Sequence, residues 1–201
     1  YLIHKFSKKI PGVKITAIAI DEGIKDYREK SLESANKLCK ELGIELNIYS
    51  YKNEFGKPLD DVVNGQRPCS VCGVLRRTLL NRYARELKVT KLATGHNLDD
   101  EAQSILMNQF RNNVATTARL GPITGVKKDD RFIQRIKPLY FLTEKEVATY
   151  AYLKGFIDKF NECPYNSVSY RNYLRDWLNE FEQKYPGTKH NIINSFIEVL
   201  P

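Results

Sequence analysis

The chain of 201 residues lacks any apolar run approaching the length needed to span a membrane. Nothing at its N-terminus resembles a secretory leader. Low-complexity tracts are absent, and so is any internal repeat. Four cysteines in a chain of this size do not make the disulfide scaffold of a secreted domain. These absences point to a soluble protein of the cytoplasm, with no membrane partner. In that reducing compartment a Cys-x-x-Cys pair goes with metal binding or catalysis rather than bridging. Acid is also in short supply: 24 Asp and Glu against 32 Lys and Arg leave a net charge of +8 and a pI near 9.2. A basic surface attracts polyanions, so nucleic acid or a nucleotide is a candidate partner, although many basic cytosolic proteins bind neither. With 42% hydrophobic and 28% charged residues, the chain can build one good core, or one core with a small appendage.

What is present is organised around Pro68-Cys69-Ser70-Val71-Cys72-Gly73. Val71, Leu75, Leu79, Tyr83 and Leu87 follow at helical spacing, so residues 70–87 read as a helix with one buried stripe. Pro68 suits the helix start, where its missing N–H is no loss. Both thiols then lie at or beside the first turn, where exposed N–H groups and the helix dipole favour thiolate over thiol.

Before this helix, Tyr1 to Lys9 looks like a helix already under way, with no initiator Met or cap before it. Val13 to Asp21 is a buried strand ending on Asp21-Glu22-Gly23, where a carboxylate can meet a ligand hydroxyl or simply shape a turn. Residues 26–42 read as a helix with Leu32, Ala35, Leu38, Cys39 and Leu42 inward, stopped by Gly43, so Cys39 is expected as a small core residue. Glu45 to Tyr51 is a second strand, and Asn53 to Arg67 a polar loop.

After the thiol helix, Lys91 to Thr94 is a short strand that stops at Gly95-His96-Asn97-Leu98-Asp99-Asp100-Glu101, and helical spacing resumes to Phe110. The alternation of strand and helix predicts an α/β fold with a doubly wound parallel sheet, whose ligands bind beyond the carboxyl ends of the strands. One strand-to-helix turn thus holds a glycine, His96, Asn97 and two carboxylates. A single His or helix-start Asp is usually structural, but together they suit a nucleotide, with a carboxylate holding Mg²⁺ or acting as base. Residues 111–135 are irregular and basic (Arg111, Arg119, Lys127, Lys128, Arg131, Arg135), a lid, a phosphate contact or a solvated loop. Arg135 to Leu139 reads as a further strand, and Thr143 with Glu146 as a capping box opening a helix to Lys154.

Cys163 appears 91 residues after Cys72 (163 − 72). Three thiolates could hold zinc with a fourth ligand, hold an iron–sulfur cluster with one iron left open, or form a disulfide relay; spacing alone does not choose. The tail reads as two helices broken at Pro186-Gly187, with aromatic and basic residues interleaved in a way that suits RNA or an amphipathic packing face; Trp177 and Phe181 are expected in the core.

Taken together, Pro68-Cys69-Ser70-Val71-Cys72-Gly73, Ala93-Thr94-Gly95-His96-Asn97-Leu98-Asp99-Asp100-Glu101-Ala102-Gln103, Cys163-Pro164 and Asp21-Glu22-Gly23 resemble the TtcA/TtuA family of tRNA thiolation enzymes, nearest its archaeal and eukaryotic cytosolic branch, which makes 2-thiouridine. The resemblance covers nearly the whole chain. It implies a PP-loop ATP pyrophosphatase of the adenine nucleotide alpha hydrolase-like fold. It further implies a nucleotide-binding α/β catalytic domain over residues 1–140. Residues 141–201 would be a helical region that completes the cluster site and contacts tRNA.

The implied activity is ATP-dependent adenylation of a tRNA uridine 2-carbonyl followed by replacement of its oxygen with sulfur. A [4Fe-4S] cluster on Cys69, Cys72 and Cys163 is implied, with ATP and Mg²⁺ bound through Asp21, Gly95, His96 and Asn97. Asp100 matches the family's catalytic carboxylate, and Arg76 stands where some members carry a catalytic Lys. Arg keeps the charge but cannot act as a base, so its role is electrostatic. Implied partners are tRNA, ATP, a sulfur donor (a ubiquitin-like thiocarboxylate protein or sulfide) and a second copy of the chain.

The sequence departs from the family in lacking the phosphate loop Ser-Gly-Gly-Lys-Asp-Ser and the flanking zinc-binding Cys clusters, so a chain truncated at both ends is expected. Competing readings are another tRNA-adenylating enzyme of the lysidine synthetase kind, an enzyme with a persulfide or disulfide relay, or a non-catalytic, zinc-stabilised RNA-binding module.

Overall fold

The computed structural model describes residues 1–63, 67–125, 131–157, 162–167 and 169–199. The chain divides into two compact units, Tyr1–Ala84 with the short segment around Cys163, and the rest of the chain from Arg85 on. The boundary expected at residue 140 lies inside the second unit, and Cys163 belongs to the first.

In the first unit, α1 (Leu2–Ser7) is the helix expected at the start, and β1 (Thr16–Asp21) begins three residues later than the apolar run. Strand β1 pairs in parallel with β2 (Glu45–Ser50), with Asp21 opposite Ser50 at the shared carboxyl end. Between them runs α2 (Arg28–Leu42), stopped at Gly43 in the left-handed conformation (φ +64°). Its expected inward face is half-buried, so Cys39 sits at the margin rather than in the core. Among the described residues the sheet that α2 covers has two strands, too narrow a surface to bury a full helix face.

Strand β2 ends one residue early, because the Ser50 hydroxyl accepts the Asn53 N–H and caps α3 (Tyr51–Phe55). The stretch expected as loop therefore contains α3 and α4 (Leu59–Val62); residues 64–66 fall outside the described residues. Helix α5 (Pro68–Glu86) starts on its proline as expected, with Leu79 and Tyr83 buried on the anticipated stripe.

In the second unit, β3 (Leu92–Ala93) pairs in parallel with β5 (Arg135–Ile136), and β4 (Ile123–Thr124) pairs antiparallel to β5. The fold is α/β with parallel pairing, as expected. Among the described residues its strands form one sheet of two and one of three, and β4 is an antiparallel strand inside the basic stretch. That stretch also holds α7 (Val114–Thr117), and Arg111 lies 4.5 Å over the Tyr170 ring; Lys127 and Lys128 fall outside the described residues.

Helices α6 (Leu98–Gln109), α8 (Glu144–Leu153), α9 (Tyr170–Lys184) and α10 (Thr188–Glu198) complete the unit. Leu98, Ala102 and Ile105 of α6 pack with Tyr140, Leu174, Leu178, Ile193 and Phe196. Each large member contributes about 1.5–3 kcal/mol by leaving water. The buried face of α9 is thus Leu174 and Leu178. Trp177 and Phe181, expected in the core, are 41% and 39% exposed and lean on one another with ring centroids 5.3 Å apart. Among the described residues no helix is long and apolar enough to cross a membrane.

Candidate functional site

Each unit carries one chemically distinctive cluster. In the first, Cys69 lies in the opening turn of α5 and Cys72 one turn on. Cys69 is exposed, Cys72 buried and Cys163 half-buried, and none is in a disulfide. The Tyr51 hydroxyl, buried where α3 begins, donates to the Cys72 carbonyl at 2.9 Å and lies 3.8 Å from its Sγ. Burial, with the Cys72 thiol beside it, pushes the Tyr51 pKa up, so the phenol stays protonated and remains a donor. Arg76, the next turn of α5, donates from Nη2 to Cys72 Sγ at 3.2 Å and sets Nε 2.7 Å from Glu22.

The helix start was expected to favour thiolate. For Cys69 the balance goes the other way: partial burial of its sulfur and then the neighbouring Cys163 and Cys72 thiols raise its pKa, against the backbone and Arg76. Burial, with like charges converging on the same spot, outweighs what the helix start offers a thiolate. Arg76 shows the complement: burial opposes its charge, and Glu22 and Cys72 more than offset this, moving its pKa up. Three soft donors that repel one another when ionised suit a cationic iron or zinc centre, which would relieve that repulsion. As the side chains stand, no group of three or more His, Cys, Asp or Glu among the described residues could hold a metal ion.

Asp21, expected to meet a nucleotide, uses one carboxylate oxygen to accept the Gly23 N–H at 2.9 Å. Gly23 is left-handed (φ +70°), and a Cβ there would lie 2.5 Å from Pro58 Cβ. The Glu22 carbonyl accepts the Leu59 N–H at 2.7 Å, so this motif first of all shapes a tight turn against α4.

In the second unit the expected residues Gly95, His96, Asn97 and Asp100 gather on the turn from β3 into α6. Asn97 caps α6: its side chain accepts the Asp100 N–H at 3.0 Å, and Asp100 Oδ2 accepts the Asn97 N–H at 3.1 Å, a reciprocal capping box. The other Asp100 oxygen stands 3.9 Å from Arg171, and the side chain is 37% exposed. Asp99 is buried, paired with Lys189 and accepting the Glu144 N–H at 2.7 Å. Of the two carboxylates only Asp100 has an oxygen facing outward. A Cβ on Gly95 would meet nothing within 4 Å, so the space over that backbone is open.

His96 Nδ1 lies 2.9 Å from Thr94 Oγ1. Desolvation of its ring, reinforced by Lys137, lowers the His96 pKa against Asp100, so the imidazole is neutral at pH 7. Lys137, just after β5, is buried against Glu101 at 2.5 Å. A polar cavity of about 180 Å³ opens beside this turn, lined among others by Asn97, Asp100, Gln103, Glu144, Arg171 and Arg175. A larger cleft of about 460 Å³, lined by Ile105, Leu106, Val114, Ile192 and Phe196, carries no ionisable side chain, so chemistry is assigned to the smaller one.

Sequence reasoning did not single out Tyr51 or Lys137, and it offered Glu22 and Arg171 only as members of the strand-end acidic motif and of the basic, aromatic tail. Glu22 stood in plain view beside Asp21. Nothing in a residue's own spacing tells that a carboxylate will be buried between two arginines.

Comparison with known proteins adds three findings. A family model described as PP-loop domain matches residues 1–181. The chain is 40% identical over 198 residues to the tRNA 2-thiolation protein NcsA of Haloferax volcanii, covering 94% of this chain and 62% of that protein. It is 38% identical over 187 residues to the tRNA-5-methyluridine(54) 2-sulfurtransferase of Pyrococcus horikoshii, covering 93% and 60%. Among solved structures, the U34-tRNA thiolase NcsA from Methanococcus maripaludis with its [4Fe-4S] cluster matches with a TM-score of 0.87 at 38% identity, over 99% of this chain and 65% of that one. The chain spans about three fifths of the length of these curated relatives.

Proposed function

The chain belongs to the PP-loop domain family, and on that premise we propose that it serves in ATP-dependent 2-thiolation of a tRNA uridine in the cytoplasm. A carbonyl oxygen is a poor leaving group. The uridine 2-carbonyl oxygen therefore attacks the α-phosphate of ATP and releases pyrophosphate; sulfur then attacks C2, and AMP departs with the oxygen. The likeness to tRNA thiolases along nearly the whole chain supports this reaction class. The observation that carries it is the placement of Cys163 in one compact unit with Cys69 and Cys72, near enough to raise the Cys69 pKa.

Cys69, Cys72 and Cys163 would hold the [4Fe-4S] cluster, which supplies thiolate-ligated iron with one position left to a sulfur ligand. Arg76 sets a fixed positive charge against Cys72, where anionic sulfur must be held. Asp99 is committed to Lys189 and the α8 backbone, so Asp100 is the carboxylate left to hold Mg²⁺ on ATP or to take a proton. Neutral His96 and the open backbone at Gly95 line the nucleotide side of the same turn, and we assign Asn97 there chiefly to the α6 cap. The sulfur donor is either sulfide or a protein thiocarboxylate; both present the same nucleophilic sulfur.

The test is anaerobic purification, with a visible spectrum and iron and sulfide analysis, beside a Cys163→Ala variant. A brown protein whose cluster is lost or damaged in the variant, and which thiolates tRNA with ATP, supports the reading. A colourless protein that stays free of iron after reconstitution overturns the cluster assignment and leaves a thiol relay or a zinc module.

A further inference from the structure

Glu22 is the most deeply buried carboxylate of the first unit, at 1% exposure. Two guanidinium groups meet it: Arg28 Nε at 2.8 Å and Arg76 Nε at 2.7 Å. Neither contact has hydrogen-bond alignment, and both buried oxygens are otherwise without a partner among the described residues, so the carboxylate is held by charge. Arg28 is itself fixed, because its guanidinium donates to the Ile20 carbonyl at the end of β1 and to Ser31 Oγ at 3.1 Å. Among the described residues Arg76 has no other anchor: half its side chain is exposed, and apart from Glu22 it touches Cys72 Sγ.

One negative charge between two positive ones leaves one positive charge in excess. Arg28 alone would neutralise Glu22, and Arg28 faces the strand end. The surplus therefore resides on Arg76, whose Nη2 points at the Cys72 sulfur. We propose that Glu22 is a positioning residue: gripped by Arg28, it holds Arg76 by Nε so that the far edge of the guanidinium presents an uncompensated positive charge to Cys72. The grip explains the residue type. A planar guanidinium can touch a carboxylate with Nε and a sulfur with Nη2 at once; a Lys ammonium has a single point of contact. It also explains the tight Asp21-Glu22-Gly23 turn, which must aim Glu22 inward from the last residue of β1. The positioning stands on this geometry; its use in holding anionic sulfur rests on the thiolation reading.

The test uses the full chain prepared without cluster, under anaerobic reducing conditions, alkylated at fixed pH with iodoacetate or with iodoacetamide and read cysteine by cysteine by mass spectrometry. Both reagents attack the thiolate and are nearly the same size, so their rate ratio reports local charge rather than access or protonation. Relative to Cys39, Cys72 in the native protein should prefer the anionic reagent. In Glu22→Gln and in Arg76→Lys that preference should fall about threefold, the size of a unit charge displaced by several ångströms in a wet site. A preference unchanged in a folded Glu22→Gln overturns the proposal, as does a fall in Arg76→Lys alone.

If Glu22→Gln does not fold, or if Cys72 is closed to both reagents, rotation of the Arg76 guanidinium decides by ¹⁵N NMR of the native protein. Hindered rotation with resolved Nη signals, assigned by their loss in Arg76→Lys, supports the grip, and the free rotation of a solvated arginine overturns it. None of these readouts needs ATP, tRNA or iron, so loss of the thiolation reading and loss of this one are told apart.

Discussion

The Arg171 guanidinium, arriving from the first turn of α9, lies on the first turn of α6: it donates to the Asp100 carbonyl at 3.2 Å and stands 3.9 Å from the Asp100 carboxylate. It also donates to Gln103 Oε1 at 3.1 Å and to Ser104 Oγ at 3.0 Å. One side chain thereby ties the helix carrying the candidate catalytic carboxylate to the C-terminal helices.

Replacing Arg171 with Ala should therefore lower stability by about 1–2 kcal/mol, the range for loss of a few charge-assisted hydrogen bonds at a half-exposed site. Urea unfolding measures this. Thiolation should fall further than stability does, because Asp100 loses its nearby cation; activity in proportion to the folded fraction would contradict that.

Asp100→Asn keeps an oxygen acceptor for the Asn97 N–H and so spares the cap, but removes the charge. Thiolation should be lost, while the melting temperature and tRNA binding stay near native. Asp100→Ala should cost about 1 kcal/mol more in stability, from the broken capping box. Retained thiolation in Asp100→Asn would remove Asp100 from catalysis.

Asp99 and Lys189 form a buried pair, with side chains 5% and 10% exposed. Asn179 shares the ammonium at 2.6 Å. Truncating Lys189 to Ala strands the Asp99 charge and should cost about 3–5 kcal/mol. A double change of Asp99 and Lys189 to apolar residues should recover part of it, measured in the same unfolding series.

The lowered His96 pKa has a sign that can be checked. Its folded value lies below the ordinary 6.5, so the unfolded chain takes up the proton first as pH falls. This contribution to stability is present above pH 6.5 and is lost as pH falls through the folded value. NMR titration should place His96 below the ordinary imidazole value, and His96→Asn should flatten that part of the pH–stability curve.

Gly23→Ala should destabilise by about 2 kcal/mol or more, since a left-handed residue with no room for a Cβ is strained twice over. Thermal melting checks it.

Much of this was legible in the chain. Helix α5 could be placed because its stripe repeats every three to four residues after a proline, and α8 because Thr143 and Glu146 stand at capping distance; both are local properties. The thiol pair, Cys163 and the Gly95-to-Asp100 turn were recognisable as motifs. Less legible were the short elements. Tyr51 reads as the last residue of a strand until the Ser50 cap bends the backbone into α3, and Trp177 and Phe181 satisfy helical spacing as well as Leu174 and Leu178 do.

By itself the sequence determined where the long helices lie, which residue types can do sulfur and phosphate chemistry, and that strands alternate with helices. Those follow from periodicity, caps and side-chain chemistry within a few residues. Only the tertiary structure decided which charge meets which. Glu22 faces Arg76, 54 residues on (76 − 22), Asp99 faces Lys189, 90 residues on (189 − 99), and Cys69 is raised rather than lowered in pKa by burial and then by its neighbours. Electrostatic energy depends on distance in space and on the water excluded from between the charges, and neither is a function of distance along the chain.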